Sequence, residues 1–399
     1  MEKYSFLNAA HTAHFAELYD QYLINPDSVE PSWRAFFQGF DFGMEQQADV
    51  EIPEDVLKEF RVVKLIDAYR GSGHLFTKTN PVRRRRQYSP TLDIKNFGLD
   101  QDDLKTVFSA GDIIGIGAAT LADIIIHLER IYCESIGMEY MYIRHPERVN
   151  WIQKWINKNG NHPNFNNDQK KQILKKLNEA VTFEQFLHTK YVGQKRFSLE
   201  GGESLIPALD ALIETAALDG VEQFVVGMAH RGRLNTLTNI FGKSATDIFS
   251  EFDGKDYEEE VFDGDVKYHL GWTSNRMTDS GLWVNLNIAP NPSHLEAVNA
   301  VVEGIARAKQ DRTYAEQPNK VMPILIHGDA AIAAQGVVYE VIQMAQLDGY
   351  KTGGTIHIVV NNQIGFTTNY LDGRSSTYCT DVGKATLSPV LHVNADDVE

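Results

Sequence analysis

The sequence predicts an α/β protein in which a helical N-terminal region is followed by a domain built on a doubly wound parallel sheet. The first observation is that apolar residues before residue 190 mostly recur at three- and four-residue steps, as on helix faces. The second is that short β-branched runs alternate with helical patterns after residue 196, at QFVVGM 223–228, LWVNLNI 282–288, VMPILIH 321–327 and TIHIVV 355–360. Strands separated by helices in this way form a parallel sheet covered on both faces.

Length and charge limit the class of protein. A chain of 399 residues is long enough for two or three domains. With 38 basic and 54 acidic residues its net charge is −16, so its surface as a whole repels nucleic acid and anionic lipid. We therefore expect neither nucleic acid nor a membrane among its partners, and any anionic ligand needs a local cationic pocket.

The cysteine content and the N-terminal sequence indicate the cellular compartment. The only two cysteines, Cys133 and Cys379, are far apart and form no disulfide framework or cysteine-based zinc motif, which is typical of a reducing compartment. The N-terminal stretch resembles neither a secretory signal nor an Arg-rich presequence, and no run approaches 18 apolar residues. A cytoplasmic location is the expectation.

The N-terminal 45 residues are predicted to be a docking segment. Its first part has an amphipathic helical pattern that Pro26 and Pro31 interrupt. The aromatic residues of this segment, Trp33 and Phe36 among them, are too many for so short a segment to bury alone, so we expect it to pack on another domain or on a partner. The acidic, poorly patterned residues 43–60 indicate a linker.

A linker and helical domain is predicted for residues 46–165. LADIIIHLERIYCESI carries a continuous helical stripe, and GDIIGIGAAT before it is interpreted as the approach to that helix rather than a dinucleotide fingerprint. The run Arg83–Arg86 is interpreted as a solvated connector rather than a phosphate or nucleic-acid patch. Further on, DQKKQILKKLNEA indicates a charged helix, and Thr182 to Gln185 fits a capping box for the next one.

The α/β domain is predicted for residues 166–399. Helical patterns at 204–218, 293–309 and 335–347 separate most of the strands, and the acidic stretch 251–265 is expected to be a mobile surface loop. Each predicted strand ends in polar residues, at His230–Arg231, Asn291–His294, His327–Asp329 and Asn361–Gln363. Since ligands bind beyond the carboxyl ends of strands in open parallel sheets, these ends predict one polar site.

Asp329 and Asn362 are the most informative pair at that edge. They lie 33 residues apart, joined by a helix and a strand, and a right-handed crossover of this length can place consecutive strands about 4.8 Å apart. A carboxylate, an amide and a nearby backbone carbonyl are hard oxygen ligands suited to Mg²⁺, whose octahedron phosphate oxygens and water would complete. The small residues Ala330 and Ala331 suit a helix start approached by a diphosphate.

The other strand ends admit two interpretations each. Ser293 to Glu296 fits a capping box, which does not exclude a ligand contact for Ser293. Arg231, expected to be buried without a local carboxylate, favours anion binding together with His230. From its sequence context alone, His269 would by default be a core histidine.

At these residues the chain closely resembles the thiamine-dependent first component of the 2-oxoglutarate dehydrogenase complex. The likeness covers nearly the whole chain and rests on long motifs in the right order, namely SFLNAAHTAHFAELYDQYLINPDSVEPSWRAFF, RFSLEGGESLIP, GMAHRGRLN, GDVKYHLGW, NPSHLEAV, HGDAAIAAQGVVYE and VVNNQIGFTTN. It implies a thiamine-diphosphate-binding fold for the α/β domain.

The resemblance assigns roles residue by residue. It implies Asp329, Asn362 and the carbonyl of Ile364 as Mg²⁺ ligands. The residues it implies around the cofactor are Arg231, Ser293, His294, Leu295, Asp329, Ala330, Ala331 and Asn362. It also implies that His230 and His269 are catalytic and, with Ser293, bind the substrate carboxylates, which favours a ligand role for His269.

The resemblance further implies oxidative decarboxylation of 2-oxoglutarate, with the cofactor as electron sink. The succinyl group would pass to the lipoyl group of a dihydrolipoyl succinyltransferase, in a complex that also contains dihydrolipoyl dehydrogenase. Members of the family are more than twice as long and act as homodimers. We therefore expect an N-terminal fragment that lacks the pyrimidine-binding half and is inactive alone.

Two alternatives remain open at this point. A related thiamine enzyme could act on pyruvate or a branched 2-oxo acid, or release the aldehyde without lipoyl transfer. A catalytically silent assembly module, docking through its aromatic N-terminal segment, is the other.

Overall fold

The computed structural model describes residue 19 and residues 21–45, 53–81, 88–253, 267–315 and 317–399. The chain divides into two compact units, Met1–Phe60 and Arg61–Glu399. Domain boundaries after residues 45 and 165 stay predictions. The run Arg83–Arg86 and most of the acidic stretch 251–265 lie outside the described residues.

In the first unit, proline begins two short elements. A 3-10 helix spans Pro26–Ser28, and helix α1 spans Pro31–Glu45, with proline in its first turn, where no backbone donor is needed. Tyr22, Val29 and Phe37 form a small buried cluster, against which further aromatic side chains pack. Docking of this segment on a partner stays a prediction, and most of the amphipathic pattern before Pro26 lies outside the described residues.

The predicted linker at 43–60 is wrong in its second half. Helix α2 spans Glu54–Ser72, beginning with the acidic Glu54 and Asp55, whose charges suit the positive end of the helix dipole. Its Val62, Leu65 and Ile66 are fully buried. The acidic composition that indicated a linker instead marks a helix N-terminus.

In its described residues the region from α2 to residue 190 is mostly helical, as predicted, with three short strands. In chain order its remaining elements are β1 (Val107–Phe108), β2 (Ala119–Thr120), α3 (Leu121–Tyr132), β3 (Ile136–Glu139), α4 (Pro146–Asn159) and α5 (Asn167–Lys190). Short 3-10 helices also occur at Gly73–Phe76, Ile94–Phe97, Asp102–Lys105 and Ser109–Ile114. A single apolar core joins α2, α3 and α4.

Helix caps decided two of the sequence predictions here. The Thr120 hydroxyl accepts a hydrogen bond from the backbone of Asp123, so GDIIGIGAAT does lead into α3. The capping box predicted at Thr182 is wrong, since Thr182 lies inside the 24-residue α5. The capping box of α5 is formed by Asn166 and Gln169.

The second half of the chain forms a mixed, mostly parallel sheet. Its elements in chain order are α6 (Leu205–Leu218), β4 (Gln223–Met228), α7 (Arg233–Asn239), α8 (Ala245–Phe252), β5 (Trp272–Met277), β6 (Trp283–Ile288), α9 (Val298–Thr313), β7 (Val321–Gly328), α10 (Asp329–Ala334), α11 (Gly336–Met344), β8 (Ile356–Val360), β9 (Ile364–Gly365), β10 (Thr368–Asn369), α12 (Tyr370–Gly373) and β11 (Val390–Val393). Two more 3-10 helices span Pro318–Lys320 and Cys379–Thr386.

The strand order is β5-β6-β4-β7-β8, with β6, β4, β7 and β8 parallel. All four predicted strands are confirmed. The edge strand β5 runs antiparallel to β6 and was not predicted. Small antiparallel pairs form between β1 and β2, between β9 and β10, and between β3 and β11.

Both faces of the sheet are covered, as predicted. Along β4, Phe224 and Val226 point into a large core with α5, α6 and α7, whereas Val225 points into a second core with α9. Alternate residues of a strand face opposite sides, so a strand covered twice is apolar throughout. Burying side chains of this size contributes about 1.5–3 kcal/mol each.

No helix within the described ranges combines the length and the apolar character needed to cross a lipid bilayer.

Candidate functional site

Three strand pairings bring the four polar strand ends to one edge of the sheet. Because β6, β4, β7 and β8 are parallel, their carboxyl ends lie together, with Val226 paired to Ile288, Met228 to Ile326, and Gly328 to Val360. The antiparallel β5 begins at this same edge, since Trp272 pairs with Ile288. His269 lies three residues before β5, so a strand that the sequence did not predict brings it to this edge.

Strand order also turns at this place. From β4 the chain adds β6 on one side and then crosses to β7 on the other. A reversal of this kind opens a crevice at the carboxyl ends of the strands on either side of it, which is where open α/β sheets bind ligands.

His230, His269 and Ser293 come together there. The ring centroids of His230 and His269 are 5.1 Å apart. Nε2 of His269 lies 3.2 Å from the Ser293 hydroxyl. Both histidines are buried and Ser293 is exposed, so the group is a buried imidazole pair with a hydroxyl at its mouth.

Neighbouring side chains tune His230. The Asn291 amide lies 3.3 Å from Nε2 of His230 and also donates to the carbonyl of Pro292. Phe197 and Tyr268 flank the ring at centroid distances of 4.9 and 5.1 Å. Burial lowers the pKa of His230, and the nearby cationic groups lower it further, so the imidazole is neutral near pH 7.

Arg233 holds the backbone beneath these side chains. Its guanidinium is completely buried and donates to the carbonyls of Met228, Leu270 and Ala289, at 2.9, 2.7 and 2.6 Å. Burial lowers its pKa to about 10, which leaves it charged at neutral pH. These carbonyls belong to the segments that carry His230, His269 and Ser293, so one side chain fixes their relative positions.

The expected burial of Arg231 is wrong. Arg231 is exposed and donates to the carbonyl of Ser198 at 2.9 Å, and Arg233 is the buried arginine. Arg231 precedes the turn at Gly232, whereas Arg233 begins α7 and points into the protein. The binding role implied for Arg231 stays a prediction.

Asp329 follows β7 and begins α10. Its side chain is buried, and burial raises the pKa of the carboxyl while the Arg374 guanidinium opposes that rise. Nη1 of Arg374 is 3.5 Å from Oδ2 of Asp329, a long contact. A buried carboxylate with so weak a counterion fits a position that a cation completes.

Asn362 and Ile364 lie on the adjoining loop. Both are exposed, and the Asn362 amide oxygen accepts a hydrogen bond from the backbone of Ile364 at 3.3 Å. The Gly328–Val360 pairing puts Asp329 and Asn362 just past neighbouring strand ends. The loop approaches α10 so closely that a Cβ on Gly365 would lie 2.7 Å from Cβ of Ala330. These adjoining segments carry a carboxylate, an amide oxygen and a backbone carbonyl, which are ligand types that fit Mg²⁺.

The predicted helix start at 293 is wrong. Helix α9 begins at Val298, and its N-cap Ala297 has no side-chain cap bond. Glu296 has a φ of 70° and directs its carboxylate at Nδ1 of His327, 2.6 Å away. The Glu296 carboxylate therefore pairs with the buried His327 instead of capping a helix at Ser293. His294 is exposed, Leu295 is half-buried, and Ala330 and Ala331 lie in α10.

Sequence reasoning missed several members of the site. Arg374 contacts Asp329 across 45 residues, and Asn80 exchanges two hydrogen bonds with Gln363, at 2.9 and 3.0 Å, across 283. No local pattern signals such pairs. Asn291 was predicted at a polar strand end but was assigned no role, although it lies in the motif NPSHLEAV.

Comparison with known proteins gives two family matches. The model of the dehydrogenase E1 component family matches residues 175–399. The model described as the 2-oxoglutarate dehydrogenase N-terminus matches residues 4–44.

Curated relatives agree with these matches. The chain is 43% identical to the "2-oxoglutarate dehydrogenase E1 component" of Azotobacter vinelandii over 98% of its own length and 44% of the relative. It is 43% identical to the protein of the same name from Cupriavidus necator, over 99% of this chain and 45% of the relative. It is 47% identical to the "Multifunctional 2-oxoglutarate metabolism enzyme" of Mycolicibacterium vanbaalenii, over 86% of this chain and 28% of that protein. The chain therefore spans less than half the length of these relatives.

Proposed function

The chain belongs to the dehydrogenase E1 component family, and on that premise we propose that it supplies the diphosphate- and magnesium-binding half of a thiamine-diphosphate-dependent 2-oxoglutarate dehydrogenase. The complete protein would carry out the oxidative decarboxylation of 2-oxoglutarate and pass the succinyl group to a lipoyl-bearing succinyltransferase. The observation that carries the proposal is the placement of Asp329 and Asn362 just past the paired strand ends Gly328 and Val360.

The family is thiamine-diphosphate dependent, and the donor set at the sheet edge supports the same cofactor here. Asp329, Asn362 and the carbonyl of Ile364 would hold Mg²⁺, which in turn would hold the diphosphate. Arg231, Ser293, His294, Leu295, Ala330 and Ala331 would line the cofactor. When bound, thiamine diphosphate supplies the electron sink that the loss of carbon dioxide requires.

The imidazole pair supports a dicarboxylate substrate. A neutral His230 can donate one hydrogen bond to a carboxylate oxygen, and His269 and Ser293 can donate others from the same wall. Arg231, the exposed residue next to His230 in the chain, would add a positive charge. The three curated relatives all carry 2-oxoglutarate in their names, which supports this acid over pyruvate.

Partner enzymes follow from the same family. As an E1 component, the complete protein would work with a dihydrolipoyl succinyltransferase and a dihydrolipoyl dehydrogenase, and would form a homodimer. The match of residues 4–44 to the 2-oxoglutarate dehydrogenase N-terminus supports a docking role for the first 45 residues.

The test is an Asp329→Ala substitution in the complete protein, with thiamine diphosphate affinity measured by calorimetry with and without Mg²⁺. We expect Mg²⁺ to strengthen binding to the unsubstituted protein, and the variant to lose this gain, by about 10-fold or more. Asp348→Ala is the matched control, because it also removes a carboxylate paired with one cation, Lys351, but on the exposed surface.

Two results would contradict the proposal. Metal-dependent affinity that survives in Asp329→Ala would remove the cofactor assignment. Faster turnover of pyruvate than of 2-oxoglutarate by the complete protein would leave the cofactor assignment in place and remove the substrate.

A further inference from the structure

Away from the sheet edge, three metal-ligating side chains from distant parts of the chain converge. They are His74, Glu139 and His392, whose ligand atoms all lie within 4.8 Å of one another. Nε2 of His392 is 2.8 Å from Oε1 of Glu139, and Nε2 of His74 is 3.6 Å from Oε2. His74 and Glu139 are buried and His392 is half-buried.

Tyr378 orients both imidazoles. Its ring stacks on His392 at a centroid distance of 3.8 Å, and its hydroxyl lies 2.9 Å from Nδ1 of His74. The same hydroxyl also lies 3.1 Å from the backbone carbonyl of His74.

The buried Glu139 carboxylate faces a ring nitrogen of each histidine. Metal-bound histidines characteristically use the second ring nitrogen for a fixed hydrogen bond, as His74 does with Tyr378.

We propose that His74, Glu139 and His392 bind a borderline divalent cation of the Zn²⁺ type. Two imidazoles and one carboxylate are a zinc ligand set, with bonds of about 2.0–2.2 Å and a fourth position left for water. The site is separate from the one at the sheet edge, uses none of its residues, and does not depend on the proposed function.

Lys384 occupies part of this site when the metal is absent. Its ammonium lies 2.5 Å from Oε2 of Glu139 and 2.7 Å from Asp381. The lysine side chain is about one-third exposed, so it can move outward and keep its pair with Asp381. Metal and ammonium are thus exchangeable counterions of Glu139, and removing the ammonium should strengthen metal binding.

The metal would join segments that are remote in sequence. Glu139 is on β3, His392 is on the paired β11, and His74 is in the 3-10 helix Gly73–Phe76. Closing loops of this length in the folded state constrains the chain more than a local contact does. The expected role is therefore structural.

The experiment measures Zn²⁺ bound per chain in the complete protein by calorimetry, with zinc alone as the probe. Four variants are compared with the unsubstituted protein, each first checked for native circular dichroism: His392→Ala, Glu139→Gln, Lys384→Met, and His162→Ala as an exposed-histidine control. Cobalt(II) replaces zinc in a second measurement, because its absorption spectrum reports nitrogen and oxygen ligands in a tetrahedral site.

We expect the unsubstituted protein and His162→Ala to bind one Zn²⁺ per chain. His392→Ala and Glu139→Gln should lose it or bind it at least 10-fold more weakly, and Lys384→Met should bind it more tightly. Equal zinc binding by His392→Ala and the unsubstituted protein overturns the site. Since His392 is half-buried at a sheet edge, this comparison stands even if Glu139→Gln fails to fold. Binding that is no tighter in Lys384→Met overturns the exchange of ammonium for metal.

Discussion

Replacing Arg233 by methionine tests whether one buried guanidinium holds the strand ends together. The substitution keeps most of the aliphatic volume but removes the donors to the carbonyls of Met228, Leu270 and Ala289. Each buried acceptor left without a partner costs about 1–3 kcal/mol, which gives about 3–9 kcal/mol for three. Relief of the burial cost of the charge offsets part of this loss. We expect a net destabilisation near the low end, about 3–5 kcal/mol.

Arg231→Met is the matched control, because it makes the same chemical change two residues away. Arg231 is exposed and makes one hydrogen bond, to Ser198, so its loss should cost no more than about 1 kcal/mol. The free energy of unfolding of both variants of the complete protein would be measured by urea denaturation followed by circular dichroism. An Arg233→Met protein no less stable than Arg231→Met would refute the assignment of Arg233 as the residue that fixes these segments.

Two further predictions concern stability. Ile324 is fully buried in β7, so Ile324→Ala should lower the free energy of unfolding by about 2–5 kcal/mol and Ile324→Val by about 0.5–1.5 kcal/mol. The control Ile126→Ala, at an exposed position, should lower it by less than about 0.5 kcal/mol. Urea denaturation that ranks the three variants differently would contradict the burial of Ile324 in the core. Burial raises the folded-state pKa of Glu303, although two threonine hydroxyls oppose the rise, so the folded protein binds more protons than the unfolded one above the ordinary carboxyl range. As pH rises through that raised pKa, the protein should lose stability relative to the Glu303→Gln variant. If the melting temperatures of the two proteins change in parallel across pH 4–7, the effect is absent.

Sequence patterns were most reliable where local residues decide the structure. The run at 223–228 matches β4 to the residue, because an apolar segment bounded by polar residues is buried on both faces. In contrast, β5 has the sequence WTSNRM, whose mixed polarity suits an edge strand and resembles a loop. Its detection required the pairing with β6.

The two wrong capping-box predictions share one cause, packing contacts that form only in the folded chain. Glu296 stands where a capping box needs it, but His327 binds its carboxylate and α9 begins at Val298. Thr182 begins a sequence that fits a capping box, yet the apolar face of α5 continues past it to Phe183 and Leu187. In each case tertiary packing outweighs a local preference of about 1 kcal/mol.

The amino-acid order alone determined the mostly helical character of the region before residue 190, the four parallel strands and which polar residues follow each strand, because periodicity and β-branching act over a few neighbouring positions. Only the tertiary structure decided that Arg233 rather than Arg231 is buried, that Arg374 contacts Asp329, and that His74, Glu139 and His392 meet. These outcomes depend on strand order and on contacts across tens to hundreds of residues. Their free energies exist only once the chain has closed those loops, so no local pattern encodes them.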